Sequence, residues 1–310
     1  MLVRSKYILV VLMSALIVAF ETVAIEGALN IANLNLYLVS SIPSLVGGCI
    51  LMGMCPRGTA AFVKSLDGKG WALTLAMCGF VAAGVILWFD AVSRIGASKE
   101  AILGGGSSEV LFVVVLSAVF LKERLTWLEG LGSLLIILGV FLVLADFETL
   151  SLPAGVGETE AILSSFCLGI SIIISTVLLR VYQLTPLSGI ELFVSGIMVV
   201  SFGLATGLVT APDAAGLALL VLLGLFPAAG LLTYNAGLPK IGASLTSVLF
   251  ALTGIMTVGV QLLVLALYPD ADIILPRSVA IAILGGMVAF LGVYLLHKKK
   301  AVRAAPAADV

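Results

Sequence analysis

The chain has 310 residues, of which 61% are hydrophobic and only 11% are charged, and its formal net charge is -1. Its mean hydropathy of +1.26 is too high for the surface of a water-soluble domain, so we expect the chain to fold in lipid. The charge balance offers no basic surface for nucleic acid, which argues against nucleic acid as a partner.

Ten apolar segments are predicted along the chain, each close to the roughly 20 residues that a helix needs to cross a bilayer. In chain order they are Tyr7–Ile25, Leu36–Met54, Trp71–Phe89, Ala101–Leu121, Trp127–Ala145, Ala161–Val181, Ser188–Val209, Gly216–Ala236, Ser244–Leu267 and Ser278–Leu296. Little of the chain is left for a soluble domain. The sequence therefore predicts an all-α integral membrane protein with ten transmembrane helices.

Lysine and arginine are distributed unevenly over the predicted loops. With a cytoplasmic N-terminus, 13 of the 16 basic residues fall on the inner side, and only Arg94, Lys99 and Arg277 fall on the outer side. Basic residues favour the cytoplasmic side of a membrane. Both termini are therefore predicted to be cytoplasmic, and the predicted location is the plasma (inner) membrane.

Two pairs of segments indicate an internal duplication. LWFDAVSRIGAS (residues 87–98) matches TYNAGLPKIGAS (residues 233–244), and GSLLIILGVFLVL (residues 132–144) matches GGMVAFLGVYLLH (residues 285–297). Two matches in the same order favour duplication over chance.

Five spans in each repeat determine how the two copies are related. Because five is an odd number, the second copy must enter the membrane inverted relative to the first. The predicted fold is thus two inverted five-helix repeats, residues 1–150 and residues 151–310, and the second repeat ends in a short basic cytoplasmic tail.

Two stretches of the first repeat resemble a known family. FLKERLTWLEGLGSLLIILGVFLVL (residues 120–144) resembles the Gly-Glu-Arg-Leu and Gly-Val signature that closes each repeat of EamA-type carriers, in the drug/metabolite transporter superfamily. RIGASKEAILGGGSSEVLF (residues 94–112) resembles the fourth span of that family, and Glu109 occupies the position of its Glu-Pro glutamate. The resemblance implies a ten-helix carrier whose central cavity is lined by the first four helices of each half, with helices five and ten peripheral.

Two glutamates are predicted near the middle of the membrane. Glu21 lies about 14 residues into the first span and Glu109 about 8 residues into the fourth, so both come near mid-depth at about 1.5 Å per residue. Ionisable residues at such depth usually face a cavity. Each could bind a cation or exchange a proton with substrate, and Ser107 and Ser108 could assist Glu109. The alternative is that each carboxyl is protonated and serves only packing.

Further candidate binding residues come from the repeat and from the family pattern. Tyr234 and Asn235 correspond by repeat to Trp88 and Phe89, and they offer aromatic faces and an amide to a ligand; interface anchoring explains the aromatic residues equally well. Thr253 stands where the family often has a Thr-Pro pair.

Four other acidic residues fall close to predicted span ends, where we expect them to reach water, with Asp90 pairing to Arg94 four residues on. They are Glu26, Asp90, Glu129 and Glu191. Four glycines of the fifth and tenth spans are expected on closely packed helix faces. They are Gly132, Gly139, Gly285 and Gly292.

The sequence favours a secondary transporter of a small organic metabolite that works by alternating access, with possible proton coupling through the glutamates. The alternatives left open are a membrane channel and a multidrug or amine exporter. No enzyme, cofactor or metal site is predicted, because the single histidine is His297 and no P-loop motif occurs. The expected partners are a small-molecule substrate such as an amino acid or amine, the lipid bilayer, and possible homodimer formation with a second copy.

Overall fold

The computed structural model describes residues 2–123, 127–144, 155–269, 271 and 273, and eight separate positions between 281 and 295. Its described residues form helices and connecting turns, with no strand among them. Eight helical segments in this part of the chain are long and apolar enough to cross a membrane. They are Ser5–Ile31, Leu36–Met54, Gly68–Ile95, Ala97–Leu121, Val156–Leu178, Leu184–Ala205, Ala214–Ile241 and Ala243–Leu267. The all-helical prediction is confirmed for these residues.

The eight segments correspond to the predicted spans one to four and six to nine, and they keep those ordinal names below. A further apolar helix, Trp127–Leu144, occupies the position of the predicted fifth span. Most of the predicted tenth span, Ser278–Leu296, lies outside the described residues. Several observed spans begin or end some residues beyond their predicted limits; the third, for example, extends to Ile95.

A short helix that the sequence analysis did not predict, Pro56–Ser65, connects the second and third spans. It begins with proline, which suits the first helical position because no intrahelical partner is needed there. Its buried Phe62 packs edge-on against Tyr182, with ring centroids 4.9 Å apart. Arg57 and Lys64 lie exposed on the same helix, so the helix is amphipathic.

Gly96 and Gly242 end the third and eighth spans and lead directly into the fourth and ninth. Their φ angles are +81° and +89°, and their ψ angles are 158° and 157°. Glycine adopts this backbone conformation because it has no Cβ. Both residues belong to the repeated Ile-Gly-Ala-Ser sequence, so the two matching sequences form the same sharp helix-to-helix connection.

The fourth and ninth spans are not continuous α-helices. In the fourth, Ile102–Ser108 is π-helical and is followed by the α-helix Glu109–Leu116. In the ninth, a turn after Phe250 separates Ala243–Phe250 from Thr253–Leu267. Irregular backbone at membrane depth is tolerated where it is buried in protein or lines a cavity.

The most extensive contacts between spans join the third to the sixth, the second to the seventh and the first to the eighth. Glycines allow these helices to approach closely. A Cβ on Gly47 of the second span would lie 2.9 Å from the carbonyl oxygen of Gly224, and one on Gly48 would lie 2.6 Å from Phe193 N. Small residues favour such packing in lipid, where no hydrophobic effect drives helices together.

Close packing was predicted for four glycines of the fifth and tenth spans, and it is confirmed for the pair Gly132 and Gly292. All four are buried, and a Cβ on Gly292 would lie 2.5 Å from the carbonyl oxygen of Gly132 and 2.8 Å from Ile136 Cγ1. The backbones of these two spans are therefore in direct contact at this point.

Candidate functional site

A cavity of about 170 Å³ lies between the spans. Its lining comes from the first four spans and from the sixth to the ninth. The described residues of the fifth and tenth spans contribute nothing to it. This is the lining that the family resemblance implies.

Four glutamates line this cavity, although each is almost fully buried. Glu21 is 6% exposed, Glu109 is 5% exposed, and Glu100 and Glu191 are 3% exposed. Among the described residues that line the cavity there is no lysine, arginine or histidine. The cavity therefore presents several acidic groups with no basic side chain from the described lining to neutralise them.

Among these four glutamates, Glu109 has a fully buried carboxyl oxygen atom that lacks a hydrogen-bond donor from the described residues. It follows immediately on the π-helical segment of the fourth span. Its Oε1 atom is buried and has no hydrogen-bond partner within the described part of the chain. Burying a polar group without a partner costs roughly 1–3 kcal/mol in proteins. A group kept at that cost in a cavity is a candidate for contact with a ligand.

Glu100 and Glu191, by contrast, have hydrogen-bond donors. Trp88 Nε1 donates to Glu100 Oε2 at 2.7 Å. Asn235 Nδ2 donates to Glu191 Oε2 at 3.1 Å, and Ser175 Oγ donates to Glu191 Oε1 at 3.4 Å. These contacts orient both carboxyl groups before any ligand arrives.

The aromatic residues Trp88 and Tyr234 occupy equivalent positions of the two matching segments, and both line the cavity. Each is held by a residue of the following span. Trp88 donates to Glu100, as described above, and the Tyr234 hydroxyl lies 2.7 Å from Ser247 Oγ. Tyr234 also packs edge-on against Phe250, with ring centroids 4.9 Å apart. These two hydrogen bonds therefore fix one aromatic ring from each half of the chain in the cavity lining.

Six of the eight predicted site residues line this one cavity. They are Glu21, Trp88, Glu109, Tyr234, Asn235 and Thr253. Ser108 is half-buried and is not among the lining residues, and the side chain of Ser107 lies outside the described part of the chain. Thr253 Oγ1 donates to the carbonyl of Phe250 at 2.6 Å, across the turn that interrupts the ninth span.

Glu191 and Glu100 are the two lining glutamates that the sequence analysis did not assign to the cavity. The expectation that Glu191 reaches water was wrong, because the seventh span begins at Leu184, four residues earlier than predicted. Glu191 therefore lies about 10 Å inside its helix. Glu100 fell just outside the predicted fourth span, which in fact begins at Ala97. The signal that could have placed both residues in the cavity was an acidic side chain directly beside an apolar segment.

Glu26 was also expected to reach water and is instead buried, at 2% exposure. Helical structure continues past it to Ile31. Its Oε2 accepts a hydrogen bond from Gln261 Nε2 at 3.1 Å, so this carboxyl links the first span to the ninth. Glu26 does not line the cavity.

Charged contacts join the third and fourth spans to the beginning of the sixth. The predicted pair of Asp90 and Arg94 is confirmed, at 3.0 Å. Arg94 Nε also lies 3.1 Å from Glu160 Oε2, without hydrogen-bond alignment, and Lys99 Nζ lies 2.6 Å from Glu158 Oε1. These contacts connect the two halves of the chain.

A second connection between the halves lies after the fourth span. The Glu123 carboxylate accepts hydrogen bonds from Ala243 N at 3.0 Å and from Ser244 N at 3.1 Å. It also accepts one from Ser244 Oγ at 3.0 Å. The first amides of a helix have no intrahelical partner, so Glu123 caps the ninth span from the other half of the chain.

Residues 5–145 match the model of the EamA-like transporter family. No curated protein sequence matches the chain. A solved structure described as "Crystal structure of protein" is similar over 94% of this chain and 97% of its own, with a TM-score of 0.71 and 16% sequence identity. At that identity the similarity establishes a shared fold only. The resemblance to EamA-type carriers is confirmed over the matched residues, and the apolar helices make the chain an integral, multi-pass membrane protein.

Proposed function

We propose that this chain, whose residues 5–145 match the model of the EamA-like transporter family, is a secondary transporter of a small organic metabolite that works by alternating access. The observation that carries the proposal is the cavity between the two halves, lined by Glu109, whose Oε1 atom has no hydrogen-bond partner among the described residues. In secondary transporters, substrate sites lie near the bilayer midplane where two repeats meet. Plasma-membrane location with both termini in the cytoplasm belongs to the same proposal.

Two inverted repeats, residues 1–150 and residues 151–310, are part of this proposal. The helix packing supports them. If each span is exchanged for its counterpart in the other half, the contact of the first with the eighth span becomes that of the sixth with the third. The contact between the second and seventh spans maps onto itself. The shared conformation of Gly96 and Gly242 supports the same relation.

Alternating access requires contacts between the halves that can break at either end of the cavity. The ion pairs of Arg94 and Lys99 with the sixth span are candidates at the outer end. The hydrogen bonds of Glu123 with Ala243 and Ser244 are candidates at the inner end. Rocking of one half against the other would release one set while the other holds.

Proton coupling is proposed to pass through Glu109, with Glu21 assisting. Burial in a low-dielectric site favours the neutral form of a carboxyl group, and an arriving cationic group favours the charged form. A carboxyl group that binds either a proton or substrate can couple the movement of one to the other.

Transport by the purified chain in proteoliposomes tests the proposal. We expect saturable counterflow of at least one solute from a panel of amino acids, amines, nucleotide-type metabolites and drugs. Glu109→Gln should lose accumulation driven by a pH gradient and keep exchange only when the solute is saturating on both sides of the membrane. Glu26→Gln, which changes a buried glutamate outside the cavity, is the matched control and should keep both activities.

Three results would each contradict a part of the proposal. Flux that rises linearly with concentration and shows no counterflow would indicate a channel. A folded Glu109→Gln variant with unchanged gradient-driven accumulation would remove Glu109 from the coupling step. Cysteine labelling that places Val310 outside would overturn the proposed orientation.

A further inference from the structure

We propose that the transported solute is a small organic cation whose ammonium group binds at Glu109 and whose apolar body packs between the aromatic residues of the cavity. This inference rests on the proposed transport function and names the class of substrate. It uses the charge, the hydrogen bonding and the size of the cavity.

The charge of the lining favours a cation. Four buried glutamates face the cavity, and none of the described lining residues is basic. A substrate carboxylate or phosphate would have to leave water without a cationic partner in this lining, next to several acidic groups, and burying an unpaired charge is costly. An ammonium group would instead enter a site whose carboxyl groups can ionise to supply its counter-charge.

The hydrogen bonds favour Glu109 over Glu100 and Glu191 as the binding carboxyl group. Glu100 receives the Trp88 indole N–H, and Glu191 receives donors from Asn235 and Ser175. Glu109 Oε1 is buried without a hydrogen-bond partner in the described residues. An ammonium group carries donors and no acceptor, so it supplies what this oxygen atom lacks.

Aromatic rings complete the site for an organic cation. Trp88, Phe89, Tyr234 and Phe250 all line the cavity. The rings of Trp88 and Phe89 pack edge-on, as do those of Tyr234 and Phe250, each pair with centroids 4.9 Å apart. Ring faces attract ammonium groups and also accept apolar bodies.

The size of the cavity limits the solute. Its volume is about 170 Å³. A cavity of roughly 150 Å³ holds one benzene molecule. The enclosed part of the solute is therefore about the size of one aromatic ring with a short side chain.

Binding to the purified full-length chain, measured by titration calorimetry near neutral pH, tests the inference. The probes are 2-phenylethylamine, benzylamine and 3-phenylpropylamine as cations that carry N–H donors, with 2-phenylethanol as the neutral analogue and phenylalanine as the analogue that adds a carboxylate. We expect at least one cation to bind ten times more tightly than both analogues. Glu109→Gln should weaken binding of that cation roughly 10- to 150-fold, the range for loss of a charge-assisted hydrogen bond. It should change the affinity for 2-phenylethanol by less than about twofold, and Glu26→Gln should leave both affinities unchanged.

Binding of none of the three cations would overturn the inference, as would equal binding of phenylalanine or 2-phenylethanol. A folded Glu109→Gln variant with parental affinity for the cation would also overturn it. A counterflow measurement distinguishes failure of this inference from failure of the proposed transport function. Saturable transport of other solutes without cation binding would leave the transporter proposal standing. If a cation binds in a manner that depends on Glu109 but no counterflow is seen, the proposed binding site stands and the proposed transport function is wrong.

Discussion

Replacing Glu123 with alanine should favour the conformation in which the cavity opens inward. The Glu123 carboxylate caps two backbone amides of the ninth span, those of Ala243 and Ser244. Loss of a helix cap costs about 1 kcal/mol for each amide left without an acceptor. The Ser244 hydroxyl keeps a partner in Ser117, 2.6 Å away. The total is about 2 kcal/mol, which corresponds to a change of roughly thirtyfold in a conformational equilibrium.

Spin labels at Phe120 and Lys240 provide the assay. Both residues are exposed, and they lie near the two sides of the Glu123 contact. Electron double resonance on the reconstituted protein should show a longer or broader distance distribution for Glu123→Ala than for the parent.

Asp67→Ala is the matched control for Glu123→Ala. Asp67 also caps a helix, accepting from Gly70 N at 2.7 Å, but donor and acceptor lie in the same half of the chain. Its loss removes the acceptor of one amide, so it should lower the stability by about 1 kcal/mol and leave the distance distribution unchanged. An unchanged distribution for Glu123→Ala, or an equal change for Asp67→Ala, would refute the reasoning.

Three further substitutions test the packing and the site. Gly292→Leu should prevent folding or assembly, because a side chain there would meet the Gly132 backbone; normal yield with selective loss of substrate binding would contradict this. Trp88→Phe should destabilise the protein by about 1–3 kcal/mol in thermal unfolding, because the buried Glu100 carboxyl loses its indole donor, and parental stability would show that the bond contributes nothing. Gly242→Ala should cost about 1–3 kcal/mol in the same measurement, because its φ is +89°; a neutral effect would mean that the connection can relax.

Much of the cavity could be predicted from the sequence, because depth in a membrane can be calculated from helix geometry. Glu21 and Glu109 line the cavity, as counting residues along their spans suggested. The internal repeat identified Trp88 and Tyr234 as equivalent positions before either was placed. For the glutamates, the rise per residue of a helix converts a residue count into a depth in the membrane. For the aromatic residues, the offset between the two repeats relates one position to the other.

The remaining residues could not be placed because hydropathy does not fix helix ends or helix rotation. An error of four residues at a span end changes the depth of a side chain by about 6 Å, enough to move Glu191 from the interface to the interior. Ser108 was expected to assist its neighbour Glu109, but successive residues on a helix point about 100° apart. Adjacency in sequence therefore says little about which side chains share a cavity.

The π-helical segment Ile102–Ser108 gives the fourth span a way to change the residues that it presents to the cavity. A wide turn of this kind accommodates one residue more than an α-helical turn, and such turns are frequent at functional sites. Moving the wide turn past Glu109 would rotate this side chain by about 100° and shift it by about 1.5 Å along the axis. The carboxyl group would then leave the cavity while both ends of the span stayed in place. Side-chain rotation within one helix could thus accompany the larger motion of the two halves.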